Sequence, residues 1–234
     1  MGFVIHLRLY LLILLLLPVG WLKASVSENP PNAGKGRDLA IIVDFPDKLI
    51  TIPHYRSFWY FFANLFDFDR DGMTKVGHTA IILVDGTTGD LEYFDFGRYD
   101  DRSDLMGPRP EFYGTVRSAR HVPQLAMKIK ARVEDDWILN LDSILIHLAI
   151  KPLLKNYDPI DFAVVPNLRL GPMKELARKY EDEGFIYYGA PAHLYCTSFV
   201  RKIIRKGGNE FGVLNFTGQQ TISHVRKKIN QPYD

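Results

Sequence analysis

The spacing of apolar and polar residues predicts a chain built mostly of strands in its first half and helices in its second. LAIIVDF (39–45) is a short continuous apolar run of the kind a buried strand shows. GHTAIILVD (77–85) and LEYFDFGRY (91–99) are strand-like and joined by GTTGD, which reads as a hairpin. FYGTVRSARHV (112–122) and AMKIKARVE (126–134) read as two more strands, the second alternating Met, Ile and Ala with Lys and Arg; DFAVVPN (161–167) is another. Helical spacing appears in YRSFWYFFANLF (55–66) and LDSILIHLAIKPLL (141–154). GPMKELARKYEDEG (171–184) is a helix opened by Pro172 and closed by Gly184, and CTSFVRKIIRKGG (196–208) is one ended by two glycines. The tail from Asn209 shows no clear period. With no internal repeat and no low-complexity tract, this order predicts an α+β fold.

The N-terminus follows a different pattern. Arg8 precedes a 14-residue apolar run, Leu9 to Leu22, broken by Pro18 and Gly20 and followed by Ala24, Ser25 and Ser27. Charge, apolar stretch, helix breaker and small residues is the order of a secretory signal, and Ser25-Val26-Ser27 is a small-x-small cleavage site. The run is shorter than the about 20 apolar residues of a full membrane span. An uncut anchor starting near Val4, holding the chain to a membrane through residues 4–22, is the second reading. Either one predicts an exported chain, periplasmic, extracellular or membrane-anchored. Residues 1–27 are thus a signal or anchor, ENPPNAGKG (28–36) a linker, and 37–234 a single domain. The formal charge is +2 and no run of Lys and Arg forms a stripe, so nucleic acid is not an expected partner.

Two stretches carry candidate chemistry. In DFDRDGMTKVGH, Asp67, Asp69, Asp71 and Gly72 match the start of a calcium loop. The twelfth position should be a bidentate Glu and is His78, and a strand rather than a helix follows. An acidic turn therefore reads better than an ion site, and Asp67, Asp69 and Asp71 are weak metal candidates. No H-x-x-x-H or C-x-x-C spacing supports zinc, and no cofactor is called for. His54, His121, His147, His193 and His224 have no partner spacing and read as surface or satisfied core groups.

The second stretch surrounds Cys196, the single cysteine. In an exported chain it can form no internal disulfide. If it opens a helix, Phe199, Val200, Ile203 and Ile204 follow at i+3, i+4, i+7 and i+8 as one apolar stripe. The thiol then sits beside first-turn N–H groups and the positive end of the helix dipole, which lower a thiol's pKa and can receive an oxyanion. A buried inert cysteine capping a core stripe fits the same spacing.

G-H-x-A-I on a strand, a second strand in YFDFGRY, and Y-C-T-S-F-V opening a helix resemble the papain-like superfamily. The resemblance is nearest to NlpC-type cell-wall hydrolases and their circularly permuted relatives, which include the lecithin:retinol acyltransferase-like proteins. His78 precedes Cys196 by 118 residues, which fits the permuted order. The stretch from Val76 to Ala119 also resembles an uncharacterised bacterial family of this fold. The resemblance implies an antiparallel sheet packed against helices, one of them a C-terminal helix bearing the cysteine. It implies Cys196 as nucleophile, His78 as general base and, on the strand after the histidine, Asp95 as the orienting residue. A two-residue Gly86-Thr87 turn sets His78 directly opposite Asp95, whereas pairing Asp85 with Leu91 sets it opposite Arg98 and turns Asp95 away. Tyr195 stands where the superfamily often has an acid or amide before the cysteine, and Thr197 or Ser198 would then complete the helix cap. Tyr188, Tyr195, Ser198 and Arg98 are the substrate-binding candidates.

The implied function is an exported thiol hydrolase that cleaves an amide, in a peptide or a peptidoglycan stem, through an acyl-enzyme thioester. Two alternatives are a non-catalytic envelope module that keeps the fold, and a lipid acyltransferase or thioesterase. The expected partners are correspondingly a peptide, a cell-wall fragment or an acyl lipid.

Overall fold

The computed structural model describes residues 38–229 except 47–48, 52–72, 76, 98, 100–112, 155–159, 188–194 and 210–217. All of them belong to one compact unit, Lys35–Asp234. Six strands form an antiparallel sheet in the order β10-β6-β5-β4-β1-β9. They are β1 (Asp38–Phe45), β4 (His78–Val84), β5 (Leu91–Gly97), β6 (Tyr113–Arg117), β9 (Asp161–Leu168) and β10 (Ile186–Tyr187). Two short ladders stand apart, β2 (Leu49–Thr51) with β3 (Met73–Lys75) and β7 (Val133–Glu134) with β8 (Trp137–Ile138). The helices are α1 (Leu141–Ala149), α2 (Leu170–Glu183), α3 (Cys196–Lys206) and α4 (Gly218–Ile229).

The central strands β1 and β4 are buried on both faces, which is why their sequences are continuous apolar runs rather than alternations. Successive side chains still leave on opposite faces. Ala40, Ile42, Ile81, Leu83, Phe94 and Phe96 face one core. It is closed by Phe199, Val200, Ile203 and Ile204 of α3, Met173 and Ala177 of α2, and Ile222 and Val225 of α4. Leu39, Ile41, Val43, Phe45, Ala80, Ile82 and Tyr93 face the other core, closed by Leu125 and by Ile144 and Leu148 of α1. The predicted stripe at 199, 200, 203 and 204 is thus the seat that holds Cys196 against the sheet.

The hairpin between β4 and β5 sets a register that neither expected turn gives. Asp85 Oδ1 accepts the N–H groups of Thr87 and Thr88, both at 2.8 Å, and Gly89 turns the chain at φ +73°. The ladder then pairs Val84 with Leu91 and Ala80 with Asp95. Relative to the Gly86-Thr87 turn this is a shift of two residues, so Asp95 stays on the face of His78, diagonal to it rather than opposite. The alternative that pairs Asp85 with Leu91 differs by one residue and would have moved Asp95 to the other face.

Other expectations are corrected. Residues 126–134 are a strand only at Val133–Glu134. Their alternation does turn Met127, Ile129 and Ala131 toward a core. Their N–H groups, however, find Gly89 O, the Asn140 side chain and His147 instead of a ladder. The strand expected over 112–122 ends at Arg117, and the 141–154 helix ends at Ala149. The tail without a clear period holds α4, so the cysteine helix is followed by another. The aromatic stretch 55–66 lies outside the described residues.

Phe199 is fully buried, with ring centroids 6.2 Å from Phe96 and 6.1 Å from Tyr180. Phe199→Ala is expected to cost about 3–5 kcal/mol, the range for emptying an aromatic from a packed core. Urea denaturation followed by tryptophan fluorescence checks it; a loss below about 1 kcal/mol would show that α3 is not seated through this ring.

Candidate active site

His78 is the first residue of β4, entered from Gly77 at φ +70°. Its ring stacks on Phe45, its β1 partner, with centroids 6.0 Å apart and planes 15° from parallel. Nε2 lies 2.7 Å from the Tyr99 hydroxyl and 3.2 Å from Asp95 Oδ2. Asp95 is fully buried and accepts from Arg117 through both oxygens, Nε to Oδ1 at 3.0 Å and Nη2 to Oδ2 at 2.8 Å. Tyr93, two residues back on the same face, donates its hydroxyl to Oδ2 at 2.8 Å. The Arg117 guanidinium lies 3.3 Å from the centroid of the Tyr99 ring, which closes the group into a ring of contacts. Gly97 makes this possible, because a Cβ there would meet the Tyr99 ring at 2.7 Å.

Burial works to raise the Asp95 pKa, but the Arg117 charge and the bonds from His78 and Arg117 outweigh it and hold the carboxyl well below its usual range. Burial likewise pulls Arg117 down, and Asp95 more than restores it. Asp95 and Arg117 therefore form a pair with no net charge. Asp95 holds His78 as a directed hydrogen-bond acceptor.

Cys196 opens α3 from the N-cap Tyr195. Ser198 Oγ accepts the Tyr195 N–H at 2.8 Å and donates to the Tyr195 carbonyl at 2.9 Å. The cap is therefore completed three residues into the helix, as half of a capping box, and the Ser198 hydroxyl is committed to it. The thiol is half-buried, and Thr197 Oγ1 lies 3.9 Å from it. Burial pushes its pKa up and the Asp44 charge adds to that, while the Thr79 N–H and the Thr197 hydroxyl and N–H pull part of it back. The net shift is upward, the reverse of what a helix start alone predicts.

Placed in the fold, the expected catalytic residues fall into two groups. His78 and Asp95 are hydrogen-bonded on the face of Phe45 and Tyr93. Cys196 lies on the other face, beside Thr79. Alternation along β4 is the physical reason: residue 78 and residue 79 must point to opposite sides of one strand. The neighbours acting on the sulfur include Thr197, Thr79 and Asp44. Tyr195 is half-buried next to the thiol. Tyr188, Arg98, Asp67, Asp69 and Asp71 lie outside the described residues.

Sequence reasoning passed over Tyr93, Tyr99, Asp44 and Thr79; Arg117, like Arg98, reads from sequence as a ligand for a substrate carboxylate or phosphate or as the partner of a neighbouring Asp. A signal existed for Asp44, a charge inside the apolar run LAIIVDF on the alternation of Ala40 and Ile42. Another existed for Tyr93, two residues from Asp95 on a strand. Nothing local marks Arg117, which depends on the β5–β6 pairing of Asp95 with Arg117.

A family model described as type VI secretion system effector TseH-like matches residues 40–212, which include both groups. No curated protein matches the chain. The crystal structure of the type VI secretion system effector TseH is similar to it with a TM-score of 0.58 and 19% sequence identity. The likeness covers 83% of this chain and 90% of that one, and at this identity it speaks to the fold alone.

Removing Arg117 tests the electrostatics. Arg117→Met leaves Asp95 buried without its counter-ion and is expected to cost about 3–5 kcal/mol at pH 7. In the wild type, the depressed Asp95 contributes stability that is present above the ordinary carboxylate pKa and lost as pH falls below it. In the variant Asp95 has a raised pKa, so stability should rise as pH falls from 7 toward 4. Urea midpoints across that range check the reversal; parallel pH dependence in the two proteins would overturn it.

Proposed function

The chain belongs to the TseH-like family of type VI secretion system effectors, and we propose that it is a thiol hydrolase whose Cys196 attacks an amide carbonyl in a peptide or peptidoglycan stem. The observation that carries this reading is the convergence of two polar groups on consecutive residues of β4. His78 is bound to Asp95 on one side, and Thr79 lies against the Cys196 helix start on the other. The paired ladder between β4 and β5 stops at Ala80 and Asp95, so both residues lie past the last pair of that ladder. We place the substrate carbonyl at this end of the sheet.

First-turn N–H groups of a helix have no partner within it, and those of α3 are suited to receive an oxyanion. Nε2 of His78 is engaged by Asp95 and Tyr99, so proton transfer runs through Nδ1. In the first step sulfur bonds to the carbonyl carbon as the S–H proton passes to a base on its own side of the sheet, the C–N bond breaks, and the amine leaves with a proton from the imidazolium form of His78. In the second, water loses a proton to the now neutral His78, its oxygen bonds to the thioester carbon, and the sulfur is released and regains its proton. In this reading the fold is papain-like with the cysteine helix late in the chain. Membership of a family of secretion effectors agrees with an exported protein. The apolar N-terminal run lies outside the described residues, and among those described no helix is long and apolar enough to cross a membrane.

A second reading, a binding module that keeps the fold without turnover, is favoured by the His78 ring leaving the sheet away from the sulfur. Purified peptidoglycan sacculi separate the two. Wild-type chain is expected to release soluble peptide-bearing fragments. Cys196→Ala should release none, and His78→Ala should be slowed by roughly 100-fold or more. Undiminished release by Cys196→Ala removes the hydrolase; binding to sacculi without release by the wild type supports the module.

A further inference from the structure

On the α3 face of the sheet, the sulfur stands at the end of a line of polar groups. Cys196 Sγ is 3.9 Å from Thr197 Oγ1, and that hydroxyl is 3.4 Å from Thr79 Oγ1. Thr79 Oγ1 donates to Asp44 Oδ1 at 3.0 Å. Asp44, Thr79 and Thr197 are each at most 1% exposed. They come from β1, β4 and α3 and meet because Asp44 and Thr79 are cross-strand partners. Gly218, the first residue of α4, covers the line from outside, since a Cβ there would overlap the Asp44 carboxylate.

Donor accounting gives the line a direction. An ionised carboxylate only accepts, and Asp44 takes the Thr79 proton. The Thr79 oxygen is left to accept from Thr197, and the Thr197 oxygen to accept from the S–H. Catalytic hydrogen bonds are often long before substrate binds, which suits the two links nearest the sulfur.

We propose that Asp44 is the acceptor of the Cys196 proton, reached through the hydroxyls of Thr197 and Thr79. As sulfur attacks, its proton passes to Thr197, the Thr197 proton to Thr79 and the Thr79 proton to Asp44 Oδ1. The S–H bond breaks, one carboxyl O–H bond forms, each hydroxyl gains one proton and loses one, and no other reactant is needed. Asp44 is a positioning residue by this account, because it acts through the threonines. The proposal rests on the reading of Cys196 as nucleophile. It supplies a base on the sulfur's own side of the sheet and leaves the leaving-group proton to His78.

The surroundings of Asp44 suit this role. Burial pushes its pKa up to about 6; Asp161 of β9 adds to the rise, and the Thr79 hydroxyl and the Phe45 N–H oppose it. Asp161 is itself held by Arg226 of α4 at 2.6 Å, and Cys196 faces Asp44 from α3. Such a carboxyl is ionised at neutral pH, yet more basic than a solvated one.

The full-length chain and p-nitrophenyl acetate test the idea. Acetyl transfer releases p-nitrophenolate and adds an acetyl group to the single cysteine, seen in the intact mass. At pH 7, Asp44→Asn, Thr79→Val and Thr197→Val are each expected to acetylate roughly 100-fold more slowly or worse. Asp44→Asn should also lose an inflection near pH 6 from the wild-type rate profile. Simple electrostatics predicts the opposite sign, because removing a negative charge beside a thiol lowers its pKa. Acetylation of Asp44→Asn at the wild-type rate or faster overturns the proposal. If that variant does not fold, wild-type rates in both threonine variants overturn it. Cys196→Ala decides the underlying reading separately. Acetylation that survives there, or is absent from the wild type, removes the nucleophile and the relay together; wild-type rates in the other variants remove the relay alone.

Discussion

β4 is buried on both faces along its whole length. A strand in that position cannot send a polar side chain to water, so each one it carries must find its partner inside the protein. His78 and Thr79 open this strand and meet the requirement in opposite directions. The imidazole finds Asp95 and Tyr99 on one face; the hydroxyl finds Asp44 and Thr197 on the other. The two polar groups of the candidate site are consequences of one constraint acting on two adjacent residues.

The surrounding frame keeps these groups in register. A buried ion pair such as Asp95 with Arg117 is weak evidence of stability, because desolvation offsets much of its attraction. Its contribution here is geometric, since a carboxylate gripped through both oxygens cannot turn away from His78. The far end of β6 repeats the device. Ser118, next after β6, donates to the fully buried Glu181 of α2 at 2.6 Å, and Arg178 and His121 bond the same carboxyl. There the partners outweigh burial and lower the Glu181 pKa. The sheet is thus tied to α2 by an ionic contact and to α3 by an apolar one.

The centre of the sheet was legible because β1 and β4 are nearly unbroken apolar runs, and α3 because its apolar residues recur at a helical period. Alternation at 126–134 reported which side chains are buried but not whether the backbone pairs. α4 was hard to see because, among the described residues, it buries just two large apolar side chains, Ile222 and Val225. For the site, residue types were readable and directions were not. His78 and Cys196 stand out as a histidine at a strand start and a thiol at a helix start. Which face each occupies depends on which side of the sheet α3 packs, a fact that no single segment encodes. The same holds for Arg117, whose contact with Asp95 arises from the pairing of two strands.

A thiol in this position has a definite resting state. Burial and the Asp44 charge both favour the protonated sulfur. A standing thiolate–imidazolium pair is therefore disfavoured, and in the proposed reaction the proton leaves the sulfur as the bond to carbon forms. That places the help of the protein in the transition state rather than in the free enzyme, where it accelerates the reaction instead of tightening the ground state. A protonated thiol is also a poor partner for disulfide exchange, which proceeds through the thiolate. With one cysteine in the chain, a thiol held protonated also resists pairing with another molecule.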